Sequence, residues 1–351
     1  MLVLAAVAAL TALSFKPIDH VLVVSVDGLR PELLESNRLA GLPAFARLLR
    51  GAHTLDARCD PSNTTTLPNH VGMVTGRLFA GPLGHGWLGN TDPPKPGAGG
   101  TIEEMHGSYV PSAFDVASDN GVATAVIAGK TKFALLKQSF GEATGAPDRI
   151  GEDDGRDKIG VFRVCGSDSA VAVEALRFLR ASVRDHRRSL ALVHFAATDA
   201  AGHGHSWDLR EGSQYTKAAR SIDRILEALL LAIESDSALR GKVAVVLTSD
   251  HGGGDPPSTH TTVTAPINFT IPFIVWRGTD ETPRDMYEIN ATTRARPPRD
   301  QNPAAAEPPP IRNADAGNLA LGLLGLGAIE GSTVNARQDL SVESPRGTST
   351  P

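Results

Sequence analysis

"HVLVVSVDG", residues 20–28, is a β-branched apolar run that stops at an acidic residue and a glycine. Four other stretches have the same form: "GVATAVIAG" (121–129), "SLALVHFA" (189–196), "KVAVVLTS" (242–249) and "IPFIVW" (271–276). Runs this continuous predict strands buried on both faces, as in a parallel sheet covered by helices. Helical patterns lie between them, over 31–49, 169–186 and 215–234. Strand–helix alternation predicts an α/β fold with a mostly parallel central sheet and right-handed crossovers.

The rest of the chain fits one such unit. Its 351 residues carry 41% hydrophobic and 21% charged side chains, the mix of a soluble globular protein. A formal net charge of -5 gives no basic footprint for a nucleic-acid polymer. Small anionic substrates stay open, because a metal can supply local positive charge. Residues 1–14 are apolar throughout, too short to span a bilayer and right for a signal-peptide core. Residues 1–16 are therefore read as a signal peptide without its usual positive start, which predicts a secreted or periplasmic protein. A single domain follows over 17–340, then a polar tail over 341–351 that reads as disordered. Residues 81–106 are rich in Gly and Pro, and 278–311 form a Pro-rich excursion that reads as a surface loop. Cys59 and Cys165 fit one bridge or two separate thiols equally well. No further stretch predicts a membrane span, and the sequence leaves the oligomeric state open.

In open α/β sheets, ligands bind beyond the C-terminal ends of the strands. Asp27 lies at the first such end, Asp199 and His203 follow the third run, Asp250 and His251 follow the fourth, and His260 lies in the loop after it. Buried carboxylates are costly unless paired or bound to a cation. Three carboxylates and three imidazoles on one edge therefore point to metal. With no thiolate in the set, Zn²⁺ is favoured, and Mn²⁺, Fe and Co remain compatible. Six ligands exceed one tetrahedral zinc and suit two divalent ions sharing a cleft.

"TTTLPNH" (64–70) adds a hydroxyl. Pro68 suits the first turn of a helix. That places Thr66 just before the helix, at the positive end of its dipole, where an alkoxide or a phosphoryl group is stabilised. A Thr at such a place is by itself only a helix cap; the metal-ligand pattern makes it a candidate nucleophile.

Together "VDG" (26–28), "TLPNH" (66–70), "DAAGH" (199–203), "SDHG" (249–252) and His260 resemble the alkaline phosphatase superfamily, and within it the type I phosphodiesterase/nucleotide pyrophosphatase branch. The resemblance implies an alkaline phosphatase-like three-layer αβα sandwich and two zinc ions. It implies one ion held by Asp27, Thr66, Asp250 and His251, and another by Asp199, His203 and His260. Thr66 matches the nucleophile, and "GHGWLGN" (84–90) places Asn90 on a phosphoryl oxygen. The implied reaction is hydrolysis of small phosphodiesters through a phospho-threonine. A phosphomonoesterase and a phosphonate hydrolase are the alternatives on the same site. For the latter, "AGKTKFALL" (128–136) is similar to the lysine segment of phosphonoacetate hydrolases, with Lys130 and Lys132 on a substrate carboxylate. The non-enzyme alternative is a metal-binding homologue without activity.

Departures from the pattern, and residues outside it, also bear on the reading. Nucleotide-cleaving relatives carry an aromatic after the nucleophile, and this chain has Leu67. A sulfatase reading is disfavoured, since Thr66 and His70 stand where the C/S-x-P-x-R pattern needs Cys or Ser and Arg. His194 reads as a hydrogen-bonded core residue, His70 as a support of the nucleophile turn, His85 as a shaper of the Asn90 loop and His205 as a surface residue. "NTT", "NFT" and "NAT" at 63, 268 and 290 fit the glycosylation pattern.

Overall fold

The computed structural model describes residues 18–343. Eight strands form one sheet in the order β4-β3-β5-β1-β6-β7-β2-β8. They are β1 (His20–Val26), β2 (Ala52–Arg58), β3 (Ala123–Ala128), β4 (Val161–Val164), β5 (Ser189–Phe195), β6 (Val243–Thr248), β7 (Thr270–Trp276) and β8 (Arg284–Asp285). The β4-β3-β5-β1-β6 block is parallel throughout, and β7 runs antiparallel to both β6 and β2.

Successive residues of β1 feed two separate apolar cores. Val21 and Val23 join Leu190, Leu192, Val246 and the helix Thr66–Thr75 on one face. Leu22, Val24 and Val26 join Ala191, Val193, Val245 and the helices Asp168–Arg184 and Gln214–Ser235 on the other. Period-2 alternation into two cores is what a sheet between two helical layers requires, so the fold is the αβα sandwich.

Three readings change. The run 271–276 is buried on both faces as expected, yet β7 is antiparallel, since burial reports the layers and not strand direction. The helical pattern over 31–49 splits into a 3₁₀ turn, Pro31–Leu34, and a short helix, Pro43–Leu48. Glu35 is extended, and Gly41 adopts φ +87, which glycine alone adopts without strain. The tail expected to be disordered from Ser341 is held for its first three residues: Ser341 N–H donates to Asn290 Oδ1, and Glu343 pairs with Arg277. The rest of that tail and the leader 1–16 lie outside the described residues. Among the described residues no helix is long and apolar enough to cross a membrane. Both cysteines are free.

The Pro-rich excursion follows the surface but is pinned by two buried arginines. Arg58, fully buried, donates to the carbonyls of Pro298 and Gln301 and pairs with Asp56 at 2.9 Å. Arg312 donates to the carbonyls of Cys59 and Pro303. Removing a buried cation strands its acceptors, at a cost of about 3–5 kcal/mol. Arg58→Ala is therefore expected to lose about that much stability in chemical denaturation and to open 295–310 to limited proteolysis. An unchanged midpoint with intact protection would show that the guanidinium does not hold the loop.

Candidate metal centre and nucleophile

The parallel register brings three strand ends to one level. β1 lies between β5 and β6, with Val26 opposite Phe195 and Ser25 opposite Thr248. Asp27 follows β1, Asp250 and His251 follow β6, and the helix Ala197–His205 after β5 carries Asp199 and His203. His260 returns from the loop beyond His251.

Each carboxylate is half satisfied. Asp27 Oδ2 receives Lys130 Nζ at 2.6 Å and His194 Nε2 at 2.9 Å. Asp199 Oδ2 receives the same Lys130 Nζ at 2.6 Å, and Asp250 Oδ1 receives the Gly28 N–H at 3.1 Å. The other oxygens, Asp27 Oδ1, Asp199 Oδ1 and Asp250 Oδ2, are buried without a hydrogen-bond partner among the described residues, as is His251 Nε2.

The imidazoles are oriented in one way. Nδ1–H donates to a backbone carbonyl in His203 (Ser258, 2.9 Å), His251 (Gly252, 2.8 Å) and His260 (Thr64, 2.6 Å). This fixes the tautomer and leaves three Nε2 lone pairs for the cleft, as in metal-bound histidines. His251 Nε2 lies 3.2 Å from Asp250 Oδ2 and 3.5 Å from Asp27 Oδ1. His203 Nε2 lies 3.3 Å from Asp199 Oδ1 and 3.2 Å from His260 Nε2. Two overlapping groups result, Asp27–Asp250–His251 and Asp199–His251–His260, with His203 at the solvent side. His251 is common to both groups, so the ligands do not divide as cleanly as the motif pattern implies. Bare carboxylate oxygens and bare Nε2 atoms facing one another fit a divalent cation and little else.

The electrostatics agree. Burial opposes ionisation of Asp27, but the Lys130 ammonium and the His194 hydrogen bond outweigh it and hold the carboxyl well below its usual range. Asp250 is pushed well above that range by burial and then by the Asp27 charge. Burial also works against the Lys130 charge, and Asp27 and Asp199 overcome it and raise its pKa. The two lysines expected on a substrate carboxylate make different contacts. Lys130 is occupied by two carboxylates, and Lys132 turns to Asn90 Oδ1 at 3.1 Å. Lys130 precedes the 3₁₀ turn Thr131–Phe133, and Lys132 lies within it.

Thr66 is the first residue of the helix Thr66–Thr75, and Thr65 takes the cap position expected for it. The turn is clasped residue by residue. His260 Nδ1 holds the Thr64 carbonyl, and Asn63 Oδ1 accepts from Thr65 N–H. His70 Nδ1 donates to the Thr66 carbonyl at 2.7 Å while its Nε2 accepts from Ser25 Oγ. Asn90 Oδ1 accepts from Leu67 N–H at 3.0 Å. His70 is fully buried, and its pKa is driven well down by burial and then by the neighbouring His194. Asn90, though three residues further from Thr66 than the motif pattern places it, thus reaches the helix start. With Leu67 N–H and Lys132 both on its oxygen, its amide NH₂ is left as a donor.

Three contributors escaped sequence reasoning. His194 was legible as buried but not as the partner of Asp27; its position on β5, opposite Ser25 of the neighbouring strand, was the available signal. Asp168 accepts from the N–H groups of Ala196 (2.8 Å) and Ala197 (3.0 Å). It thereby caps the helix bearing Asp199, whose own cap residue is an alanine. Asn313 donates to the carbonyls of Ser249 and Asp250. Neither had a sequence signal. His205 is exposed, and the three sequon asparagines Asn63, Asn268 and Asn290 are buried, which closes them to glycosylation in the folded chain.

The family model for type I phosphodiesterase / nucleotide pyrophosphatase matches residues 21–270. No curated protein matches the sequence. Among solved structures, the chain is similar to the lipoteichoic acid synthase LtaP from Listeria monocytogenes, with TM-score 0.58, 14% identity and coverage of 90% of this chain and 74% of that one. It is also similar to an alkaline phosphatase superfamily protein from Vibrio parahaemolyticus (0.55, 14%, 94% and 74%). A 2-O GAG sulfatase matches comparably (0.58, 13%, 91% and 72%). Identities this low establish the alkaline phosphatase-like fold and not a shared reaction.

His85, in the loop that presents Asn90, allows a pH test. Burial, then the Arg77 and His106 charges, lower its pKa from 6.5 to about 3. The unfolded chain takes up a proton between these values and the folded chain does not. Stability is thus complete above pH 6.5 and falls as pH drops toward 3, by up to about 1.4 kcal/mol per unit. In urea titrations from pH 8 to 4, His85→Gln is expected to lose less stability than wild type on acidification. Parallel curves would show that His85 does not stay neutral in the fold.

Proposed function

The chain belongs to the type I phosphodiesterase / nucleotide pyrophosphatase family, and from that premise we propose that it hydrolyses small phosphodiesters through a covalent phospho-threonine on Thr66. The observation that carries this reading is the set of bare, buried acceptors, Asp27 Oδ1, Asp199 Oδ1, Asp250 Oδ2 and His251 Nε2, gathered beside a helix start that His70, His260 and Asn90 clasp. Asp27, Asp250, His251 and Thr66 would hold one cation, and Asp199, His203 and His260 the other, with His251 in reach of both. The donor set favours zinc. Bound there, two divalent ions supply a lowered hydroxyl pKa and neutralisation of phosphoryl charge.

The chain's own groups do the rest. Thr66 Oγ gives its proton to solvent and attacks phosphorus, its P–O bond forms as the P–O bond to the alcohol breaks, and the alcohol leaves with a proton from solvent. Water then cleaves the Thr66–phosphate ester and restores the hydroxyl. The Asn90 amide NH₂ and the Thr66 N–H face the phosphoryl oxygens as charge builds on them. His70 keeps the Thr66 peptide in place and, being neutral, adds no charge of its own.

Two features shape the substrate reading. Leu67 is fully buried, so it offers no platform for a nucleobase, and the stacking worth about 1–3 kcal/mol per base is not supplied from that position. The engagement of Lys130 by Asp27 and Asp199 also argues against the phosphonoacetate-type reading, which needs both ammonium groups for a substrate carboxylate. Thr66 in place of a Cys or Ser favours phosphate over sulfate esters.

Zinc-loaded protein is expected to hydrolyse a bis-aryl phosphate faster than the mono-aryl phosphate, and Thr66→Ala to lose at least about a thousandfold of that activity. Equal slow rates in wild type and mutant would overturn the catalytic reading. Metal analysis should return two ions per chain. Asn90→Ala should cut kcat by about tenfold to a thousandfold with a smaller change in KM. A change confined to KM would remove Asn90 from the transition state.

A further inference from the structure

Gly28 and Gly202, from two site motifs, and Gly253, the residue just after a third, meet at one side chain that none of those motifs contains. Trp207 is buried, and its indole lies flush against all three. A Cβ at Gly202 would sit 2.3 Å from indole Cε2, and one at Gly253 would sit 2.2 Å from the same atom. At Gly28 the distance to Nε1 is 3.2 Å, and Trp207 Nε1–H donates to the Gly28 carbonyl at 3.0 Å. The ring also stands edge-on to His203 (5.2 Å between centroids) and His260 (5.9 Å).

Each glycine is next to a candidate ligand or one residue from it: Gly28 follows Asp27, Gly202 precedes His203, and Gly253 lies two after His251. The indole therefore touches the segments that carry the Asp27, Asp199–His203, Asp250–His251 and His260 ligands, and only the Thr66 turn lies outside these contacts. It is itself held, since Arg30 donates to the Trp207 carbonyl, and the Tyr215 hydroxyl shares the Gly28 carbonyl.

We infer that Trp207 is a positioning residue for the metal centre, the common wall that sets the ligand-bearing segments at their mutual spacing. The inference rests on the metal-dependent reading above. It explains Gly202 and Gly253 by contact, because only a residue without a side chain leaves room there for the indole; Gly28 is also required by its φ of +67 and by Asp199 Cα, 3.2 Å from a Cβ built there. A rigid bicyclic ring with one N–H fixes a spacing that a flexible aliphatic side chain would not. Groups that orient metal ligands without binding the metal typically change affinity by about 10–100-fold.

The test is zinc titration of the full chain against a chromophoric chelator, with tryptophan emission followed in parallel. Trp207→Phe should weaken zinc binding at least about tenfold. Gly202→Ala keeps the indole but drives a methyl into it and should do the same. Trp276→Phe, a buried exchange away from the ligands, controls for general loosening and should keep wild-type affinity. The emission change on adding zinc should persist in Trp87→Phe and Trp276→Phe and vanish in Trp207→Phe. Wild-type affinity in both Trp207→Phe and Gly202→Ala overturns the inference, as does an equal loss in Trp276→Phe. Should Trp207→Phe fail to fold, Gly202→Ala decides alone. Wild-type protein that takes up no zinc overturns the metal reading and this inference with it. Two ions on wild type with unchanged variants overturn this inference alone.

Discussion

Mutual repulsion among three buried carboxylates is the constraint around which this molecule is organised. Parallel strands ending at one level bring Asp27, Asp199 and Asp250 together, and two unit charges 4 Å apart cost roughly 4 kcal/mol even at an effective dielectric of 20. Every neighbour answers that cost. Lys130 bridges two of the three, His194 and the Gly28 N–H take one oxygen each, and the imidazoles keep their lone pairs toward the centre. One oxygen of each carboxylate is left over, and that remainder is what a cation has to satisfy.

The same geometry explains which parts of the molecule were legible in the sequence. Strand runs and the acidic or imidazole residues after them are local signals, and they recur because a buried parallel strand must be apolar until it reaches the sheet edge. The direction of β7 was not legible, since an antiparallel strand buried on both faces has the same composition. The two halves of 31–49 share one apolar period that the backbone at Glu35 and Gly41 interrupts. Thr66 was recognised as a hydroxyl at a helix start and is placed one step inside it, a difference that one additional hydrogen bond settles. The partnerships of Lys130, His194, Asp168 and Asn313 are contacts across long sequence separations, and no local pattern encodes them.

Asn90 illustrates how a polar group gains a definite role from what occupies its other half. An amide can present either its oxygen or its NH₂. Here a backbone N–H and a lysine ammonium both claim the oxygen, so the donor end is the one left over. Lys132, within the turn that follows Lys130, thus sets the orientation of its neighbour.

The family match ends at residue 270, yet β7 begins there and closes one flank of β6, with Leu247 opposite Ile274 and Thr248 opposite Phe273. Asn313, further on, takes the carbonyls of the Ser249–Asp250 turn. A fragment cut at the boundary of the match would leave β6 as a raw sheet edge, open to pairing with another chain, at the strand that presents Asp250. The matched portion is thus not a self-sufficient module. Its reactive end is finished by residues that carry none of its motifs, and divergence in that C-terminal quarter would act on the centre without altering a single ligand.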